Sequence, residues 1–280
     1  MNSFVKFSYQ TLLNLPTARS QRLKIAQFLW SIQNYIKYRD RFFFSGIAID
    51  ISTGCNRKCW YCPQAYKPDD YHEMSFETFD IILKRLQDIN WTGIVGYCLF
   101  GEPLMDSRIV EFVRRTRHAL PDCIPFIQTN GDFLTEKLCD ELILNGLDIF
   151  SVMRHSPSNS EWENRLTQLN KKYPTIVRLD QLDKNRLQNR AGFLTKIISP
   201  RTDKRWRCHY ILVNFPIRYN GDVGFCTDDY HRKVKIGNIL EQDILTIWRN
   251  PHWANLRKQL RAGHREVLDI CKTCTGCQVD

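Results

Sequence analysis

Three cysteines near one another in the first third of the chain, Cys55, Cys59 and Cys62, have the residue type and spacing to bind metal. Three thiolates within eight residues can each bind one iron of a cubane, whereas a fully ligated 4Fe–4S cluster has four thiolate ligands. The remaining iron would be open to a substrate or cofactor. Structural zinc usually takes four ligands, often in paired CxxC units, so the CxxxCxxC spacing fits zinc poorly. The spacing therefore predicts an iron–sulfur cluster with an open iron.

A second group of cysteines lies in the last third of the chain. Cys208 precedes a predicted hairpin, Cys226 follows it, and Cys271, Cys274 and Cys277 lie near the end of the sequence. Four of these thiolates would complete a second cubane. A zinc site built from Cys208, Cys226, Cys271 and Cys274 is the alternative. Cys277 is either an alternative ligand or a spare thiol.

The composition limits the class of protein. The chain has 280 residues and eleven cysteines, an odd number, and we find no signal peptide, so we expect a cytoplasmic protein whose clustered thiols bind metal. Cys98, Cys123 and Cys139 are predicted to be small buried residues. No run of eighteen apolar residues occurs, so no membrane span is predicted. The net charge of +10 allows an anionic partner such as nucleic acid, but the absence of a binding motif favours solvated helix faces.

Alternating strands and helices must position these cysteines. Residues 1–45 have helical periodicity, broken by Pro16, and are predicted to form an amino-terminal helical extension. Over 46–200 strands alternate with helices, which predicts an α/β fold, most simply a partial barrel with its chemistry at the carboxyl ends of the strands. The predicted strands cover 46–52, 93–100, 124–129, 147–153 and 175–180, and the helices between them are expected to begin at Ser75, Asp106, Thr135 and Ser160, the last in a capping box with Glu163.

The alternation stops after about residue 200. A hairpin turning at Asn220-Gly221, a helical stretch and the terminal cysteines predict a second, small domain over 201–280.

The first cysteine group resembles the CxxxCxΦC motif of the radical S-adenosylmethionine (SAM) superfamily, with Tyr61 as the aromatic residue. The resemblance implies a partial (β/α)6 TIM-like barrel. It also implies that the amino and carboxylate groups of SAM chelate the open iron. Reductive cleavage of SAM would then give a 5′-deoxyadenosyl radical that abstracts a substrate hydrogen. A flavodoxin-like or ferredoxin-like protein would be the reductant.

Two strand ends extend this resemblance. Phe100-Gly101-Glu102-Pro103 resembles the GGEP motif of the superfamily, with Phe100 at the first glycine position, and Thr129-Asn130-Gly131 resembles its TNG turn. The resemblance implies that Gly101, Glu102, Pro103, Thr129 and Asn130 line the SAM site. Arg154 and His155 follow the fourth predicted strand and are either a surface pair or contacts to the ribose or carboxylate of SAM.

The carboxyl-terminal region resembles the SPASM/Twitch class of auxiliary-cluster domains. The shared features are the Gly221–Cys226 spacing, the GNI at 237–239, the IW at 247–248 and the terminal CxxC. This resemblance implies one auxiliary 4Fe–4S cluster in a small Twitch/SPASM-like iron–sulfur domain.

A longer stretch, from about Asp50 to Cys274, is similar to the butirosin-pathway deoxy-scyllo-inosamine dehydrogenase subgroup, Twitch enzymes that oxidise an aminocyclitol hydroxyl to a ketone. The similarity includes CNRKCWYCP, TNGDFLTEK, the NRAG at 189–192 and a closing GHR…CKTC. It implies a small-molecule substrate, an arginine near that substrate at Arg190 and an acidic residue at Asp228. A solvated linker arginine is the alternative for Arg190. A SPASM-type peptide-modifying enzyme is the alternative function.

Overall fold

The computed structural model describes residues 19–154, 160–182, 187–199, 207–208 and 210–276. Within these residues the predicted alternation of strands and helices is present. The strands are β1 (Gly46–Ile49), β2 (Ile94–Tyr97), β3 (Ile124–Thr129), β4 (Ile149–Arg154), β5 (Val177–Gln181), β6 (Asn214–Ile217), β7 (Asp222–Gly224) and β8 (Lys235–Asn238). The helices are α1 (Arg19–Tyr38), α2 (Phe76–Asp88), α3 (Ile109–Ala119), α4 (Glu136–Leu144), α5 (Ser160–Lys172), α6 (Tyr210–Val213), α7 (Ile244–Arg249), α8 (Pro251–Ala262) and α9 (Asp269–Lys272).

The strands form one sheet of eight in the order β5-β4-β3-β2-β1-β6-β7-β8. The six strands from β5 to β6 are parallel, which confirms the expected partial barrel, and β7 and β8 add to it antiparallel. The sixth parallel strand lies beyond residue 200, where Gly46 of β1 is opposite Asn214 of β6. The sheet therefore continues across the domain boundary predicted at residue 200, and the division into domains stays a prediction.

Capping side chains predicted from the sequence explain where two of the helices begin. The hydroxyl of Ser75 accepts a hydrogen bond from the backbone N–H of Thr78 at 3.1 Å, and Thr135 caps α4 in the same way. The cap predicted at Asp106 is wrong by two residues, because α3 begins at Ile109 and Arg108 occupies the cap position. The carboxylate of Asp106 instead accepts hydrogen bonds from the backbone N–H and the guanidinium of Arg108. Ser160 begins α5 as expected, and its capping role lies outside the described side chains.

The core lies between the sheet and its covering helices. Helix α2 buries residues spaced three and four apart, which places an apolar stripe against the sheet: Phe79, Ile82, Leu83 and Leu86. The predicted hairpin is confirmed, with Ile217 of β6 paired to Val223 of β7. The predicted helical character of the first 45 residues holds over α1, and residues 1–18 lie outside the described part. None of the described helices is long and apolar enough to cross a membrane.

Candidate functional site

The three cysteines of the first group lie in the loop that follows β1, at the carboxyl end of the parallel strands. The loop turns tightly, since the backbone N–H of Cys62 donates to the carbonyl oxygen of Cys59 at 2.8 Å. Cys55, Cys59 and Cys62 all line a cavity of about 420 Å³. The structure thus brings the three predicted ligands to one space, where each could hold one iron of a cubane.

Burial controls the ionisation of these thiols. It raises the pKa of Cys55 to about 11 and also raises the pKa values of Cys59 and Cys62. The thiols are therefore protonated at neutral pH when no metal is bound, and iron must displace their protons. The predicted aromatic residue, Tyr61, is buried beside them and lines the same cavity.

Glu102 joins the ends of β2 and β3. Its side chain is buried, and its Oε1 accepts from the Thr129 hydroxyl at 2.6 Å and from the Leu104 N–H at 3.1 Å. Its Oε2 accepts from the Asn130 N–H at 2.8 Å. The carboxylate holds the two predicted turns together, and its Oε2 keeps acceptor capacity for a ligand amine in the cavity.

The strand-end motif tolerates Phe100 but requires Gly101. A Cβ at Gly101 would lie 2.1 Å from the carbonyl oxygen of Ser52, so no other residue fits without moving backbone. The Phe100 ring lies 5.9 Å from the Arg190 guanidinium and 5.6 Å from that of Arg218. The aromatic ring at the first glycine position thus supports two cations.

A polar clamp that the sequence did not reveal ties the cysteine loop to the turn after β3. Asp132 Oδ2 accepts from Arg57 Nε and from Asn56 Nδ2, each at 2.7 Å, and Asp132 Oδ1 accepts from Arg57 Nη2. Asn130 Nδ2 in turn donates to Asn56 Oδ1 at 2.8 Å. The only signal in the sequence was the position of Arg57 within one motif and of Asp132 within another.

The two residues predicted to face the substrate contact each other. Arg190 Nη1 is 2.7 Å from Asp228 Oδ1, and the Asp228 side chain is 5% exposed whereas that of Arg190 is 33% exposed. Burial by itself would lower the pKa of Arg190, but the charge of Asp228 and its hydrogen bond, together with a smaller contribution from Cys62, raise the pKa overall. Arg190 is therefore a fixed cation located between Cys62 and Asp228.

Arg190 also borders a second cavity, which fills the barrel interior. This cavity has a volume of about 420 Å³ and shares Cys98, Leu99, Phe100, Gln128 and Arg190 with the first. Small residues on the inner strand faces, Gly46, Ala48 and Gly96, leave it open, and Trp30 of α1 lines it. The buried Thr227 hydroxyl, which also borders it, has no hydrogen-bond partner among the described residues. The two cavities meet at Arg190.

The second cysteine group also comes together. Burial raises the pKa of Cys226 first, the Asp228 charge raises it further, and the nearby thiols of Cys274 and Cys208 add to this. The same two thiols act on Cys271. Burial likewise raises the pKa of Cys271 to about 12. Cys277 lies outside the described residues, so its role as a ligand stays open.

Hydrogen bonds to sulfur indicate which chemistry this group suits. The Asp228 N–H lies 3.4 Å from Cys226 Sγ, and the Gly276 N–H lies 3.2 Å from Cys274 Sγ. Such donors to thiolate sulfur are one way in which proteins set the properties of iron–sulfur clusters. The ten described cysteines are free thiols. No three described His, Cys, Asp or Glu side chains are arranged to hold a single metal ion, whereas in a cubane each thiolate binds a different iron.

A buried cation beside the second group was missed by sequence reasoning. Arg265 is 4% exposed, and its Nε donates to the carbonyl oxygen of Cys271 at 3.4 Å. Burial lowers the pKa of Arg265, but the neighbouring thiols Cys274, Cys208 and Cys271 raise it overall. A buried guanidinium fits a site that carries a negatively charged cluster. Its signal in the sequence is the Arg of the GHR tripeptide at 263–265.

The remaining candidates have mixed outcomes. Cys123 and Cys139 are fully buried as predicted, whereas the prediction for Cys98 holds only in part, because the residue is partly exposed and lines both cavities. Arg154 is the last residue of β4 and forms an ion pair with Glu163 at 3.4 Å, and both interpretations of Arg154 and His155 stay predictions. His155 lies outside the described residues.

Comparison with known proteins decides the family. A model described as the Radical SAM superfamily matches residues 49–189, half of the chain. The chain belongs to the radical SAM superfamily. A model described as an iron–sulfur cluster-binding domain, SPASM, matches residues 208–275. This radical SAM enzyme therefore binds a catalytic and an auxiliary 4Fe–4S cluster together with SAM, and the resemblance stated from its motifs is confirmed.

Individual relatives agree with this family assignment. The radical SAM chain is 34% identical over 239 residues to the S-adenosyl-L-methionine-dependent 2-deoxy-scyllo-inosamine dehydrogenase of Niallia circulans, covering 84% of this chain and 94% of the relative. It superposes on the crystal structure of BtrN in complex with AdoMet and 2-DOIA with a TM-score of 0.77 and 31% identity, covering 84% and 94% of the two chains. The structure of anSMEcpe with AdoMet and a peptide, at 16% identity and a TM-score of 0.55, shares the fold.

Proposed function

We propose that this chain is a radical SAM dehydrogenase that oxidises a hydroxyl group of a small cyclitol or sugar-like molecule to a ketone. The similarity to a 2-deoxy-scyllo-inosamine dehydrogenase over most of both chains supports this proposal. The main structural observation in support of this function is the position of the Arg190–Asp228 pair between the two sets of thiols. Arg190 borders the cavity of the first thiols, and the backbone N–H of Asp228 contacts a thiol of the second group.

Each of the two sets of cysteines would bind one cluster. In this proposal Cys55, Cys59 and Cys62 hold the catalytic cluster, and Cys208, Cys226, Cys271 and Cys274 hold the auxiliary cluster, with Cys277 as an alternative ligand. The first set leaves one iron open for SAM, whereas four thiolates leave the second cluster with no open iron. The second cluster is then suited to accept an electron and not to anchor a substrate.

Side chains at the ends of β2 and β3 position SAM. Glu102 lines the first cavity beside Asn130, and its carboxylate is our proposed acceptor for the SAM amino group. Thr129 and Asn130 hold that carboxylate in place, Gly101 lets the strand end approach Ser52, and Pro103 begins the turn that follows. Tyr61 packs beside the same cavity.

Oxidation of a carbinol to a ketone removes one hydrogen atom, one proton and one electron. When bound, the catalytic cluster and SAM supply a 5′-deoxyadenosyl radical that takes the hydrogen atom from the carbinol carbon, and the auxiliary cluster takes the electron. The hydroxyl proton leaves to a base. Arg190 donates a hydrogen bond to the substrate oxygen, since a guanidinium has several donors and stays protonated. Asp228 fixes the direction of that donor and presents its own carboxylate to the second cavity, which Arg190 also borders.

The cavity shape favours a small substrate over a peptide. The space around Arg190 is bounded by the strand interior and by Trp30, and it has the size of a small-molecule pocket. We further propose a flavodoxin-like or ferredoxin-like reductant, a cytoplasmic location, and no membrane or nucleic-acid partner.

Anaerobic turnover with cyclitols, sugars and peptides tests the proposal. We expect a ketone product that forms one-to-one with 5′-deoxyadenosine from a hydroxylated small molecule, because each radical removes one hydrogen atom. A Cys271→Ala/Cys274→Ala variant should still form 5′-deoxyadenosine but little ketone, with circular dichroism and thermal melts as the folding control. Ketone at the wild-type yield per 5′-deoxyadenosine from that folded variant would exclude the electron-acceptor role, and modification of peptides alone would exclude the proposed substrate class.

A further inference from the structure

The segment that carries Arg190 has an unusual backbone. Arg190, Ala191 and Gly192 have φ angles of 50°, 52° and 88°, so three successive residues lie in the left-handed region. This conformation costs free energy for residues that have a Cβ, and it persists only where surrounding structure imposes it. Some contact outside the segment must therefore hold Arg190 in place.

That contact is made by the preceding residue, Asn189, whose side chain is completely buried. Asn189 Nδ2 donates to the carbonyl oxygen of Thr273 at 2.6 Å, and its Oδ1 accepts from the Thr275 N–H at 3.0 Å. The Asn189 N–H donates to the Thr275 hydroxyl at 2.9 Å. The same Oδ1 also accepts from the Gly192 N–H at 3.3 Å, which closes the left-handed turn.

The two threonines flank Cys274, one of the proposed auxiliary-cluster ligands. Packing adds to the hydrogen bonds, because a Cβ at Gly192 would lie 2.3 Å from the Thr273 hydroxyl. The turn of Arg190 and the auxiliary-cluster loop, residues 271–276, are thus joined directly, by hydrogen bonds between the side chain of one segment and the backbone of the other. Beyond α9 this loop has no regular secondary structure among its described residues, so the bonds from its thiolates to a cluster would order it.

We propose that Asn189 is a positioning residue that transmits the order of the auxiliary-cluster loop to Arg190. The guanidinium is aimed at the substrate only while the loop is held by its cluster. The auxiliary cluster then has a structural effect on the substrate site in addition to accepting an electron. The inference rests on the proposed substrate role of Arg190, and it predicts motion that can be measured without any substrate.

Hydrogen exchange of the reconstituted enzyme tests the coupling. We expect the amides of residues 189–194 to exchange roughly tenfold faster in Asn189→Ala and in Cys271→Ser/Cys274→Ser than in wild type, because buried hydrogen bonds of the turn are lost. Asn170→Ala is the matched control, since Asn170 donates to the Val177 carbonyl oxygen in another part of the barrel. Wild-type exchange of this segment in either test variant would overturn the inference.

Milder variants guard against misfolding. Thr275→Val removes the hydroxyl that accepts from the Asn189 N–H. Asn189→Asp keeps the size and both accepting contacts of the side chain, but it replaces the donor to the Thr273 carbonyl oxygen by a second carboxylate oxygen, which only accepts. We expect Thr275→Val to loosen the segment and Asn189→Asp, with its unfavourable contact to Thr273, to loosen it further. If both variants exchange like wild type, Asn189 does not hold the turn through these contacts.

A positioning role also differs from an electronic one. In Asn189→Ala we expect the auxiliary-cluster potential and electron paramagnetic resonance signal to stay as in wild type, while product per 5′-deoxyadenosine falls about tenfold. A shifted potential that accounts for the loss of product would contradict the positioning role. If no hydroxylated compound is oxidised by the wild type, the proposed function fails, whereas the exchange measurements still decide whether Asn189 links the loop to Arg190.

Discussion

Arg190 and Asp228 are joined by a hydrogen bond of 2.7 Å that lies between the two groups of thiols. On one side the Arg190 charge acts on Cys62 of the first group, where it opposes the burial that raises the pKa of that thiol. On the other side the Asp228 N–H donates to Cys226 Sγ of the second group. A substrate hydroxyl bound to this pair would lie between the proposed radical source and the proposed electron acceptor.

Replacing Arg190 should separate radical formation from product formation. We expect Arg190→Met to lower the rate of ketone formation by roughly a hundredfold or more, as for loss of a preorganised donor at a reacting oxygen. Arg190→Lys should recover part of the rate, because it keeps the charge but not the planar geometry. The measurement is product and 5′-deoxyadenosine by mass spectrometry. Equal product from Arg190→Met and wild type would remove Arg190 from the site.

Changing the first cysteines should abolish cleavage of SAM without emptying the second site. Cys59→Ala should form no 5′-deoxyadenosine above background, since one iron loses its thiolate. The anaerobic wild type should contain about eight irons and the Cys55→Ala/Cys59→Ala/Cys62→Ala variant about four, as expected for two cubanes with separate ligands. Zinc without iron in the triple variant would show that the second site is structural zinc.

Loosening the clamp between Asp132 and Arg57 should weaken retention of the catalytic cluster. Asp132→Asn removes the charge of a pair that ties the cysteine loop to the turn after β3, and charge-assisted hydrogen bonds contribute about 1.5–3 kcal/mol each. We expect iron to be lost to a chelator about tenfold faster, an increase that corresponds to about 1.4 kcal/mol.

The matched control for this clamp is Asp148→Asn. Asp148 forms an ion pair with Arg117 at 2.6 Å, so the variant loses a similar contact at a place away from the cysteine loop. Iron loss at the same rate from both variants would mean that the effect is general destabilisation of the protein.

Removing the buried charge of Arg265 should lower the midpoint potential of the auxiliary cluster. A positive charge favours the more negative, reduced cluster, so Arg265→Met should shift the potential downward by roughly 50 mV or more, given about 1–4 kcal/mol for a nearby unit charge. The midpoint potential of Arg265→Lys should lie between those of the wild type and Arg265→Met. Arg261→Met is the control, because Arg261 packs on Phe42 and not on a thiol. Potentiometric titration followed by electron paramagnetic resonance gives the values, and an unchanged potential in Arg265→Met would contradict the assignment.

The sequence by itself determined the class of chemistry and the type of fold. Thiol spacing is a local property, so Cys55, Cys59 and Cys62 indicated a cluster with an open iron without any knowledge of the fold. Hydrophobic periodicity and caps such as Ser75 and Thr135 also act within a few residues, which is why the alternation of strands and helices was predicted correctly.

Only the tertiary structure decided which side chains meet. Asn189 contacts Thr275 across 86 positions of sequence, and Arg57 contacts Asp132 across 75. Such pairs depend on how the ends of separate strands and loops pack together, and no short window of sequence contains both partners. The same reason explains why Cys98 was taken for a core residue, since its position at the junction of two cavities is set by the strands beside it. Sequence spacing specifies the ligands, and packing of distant segments specifies the site around them.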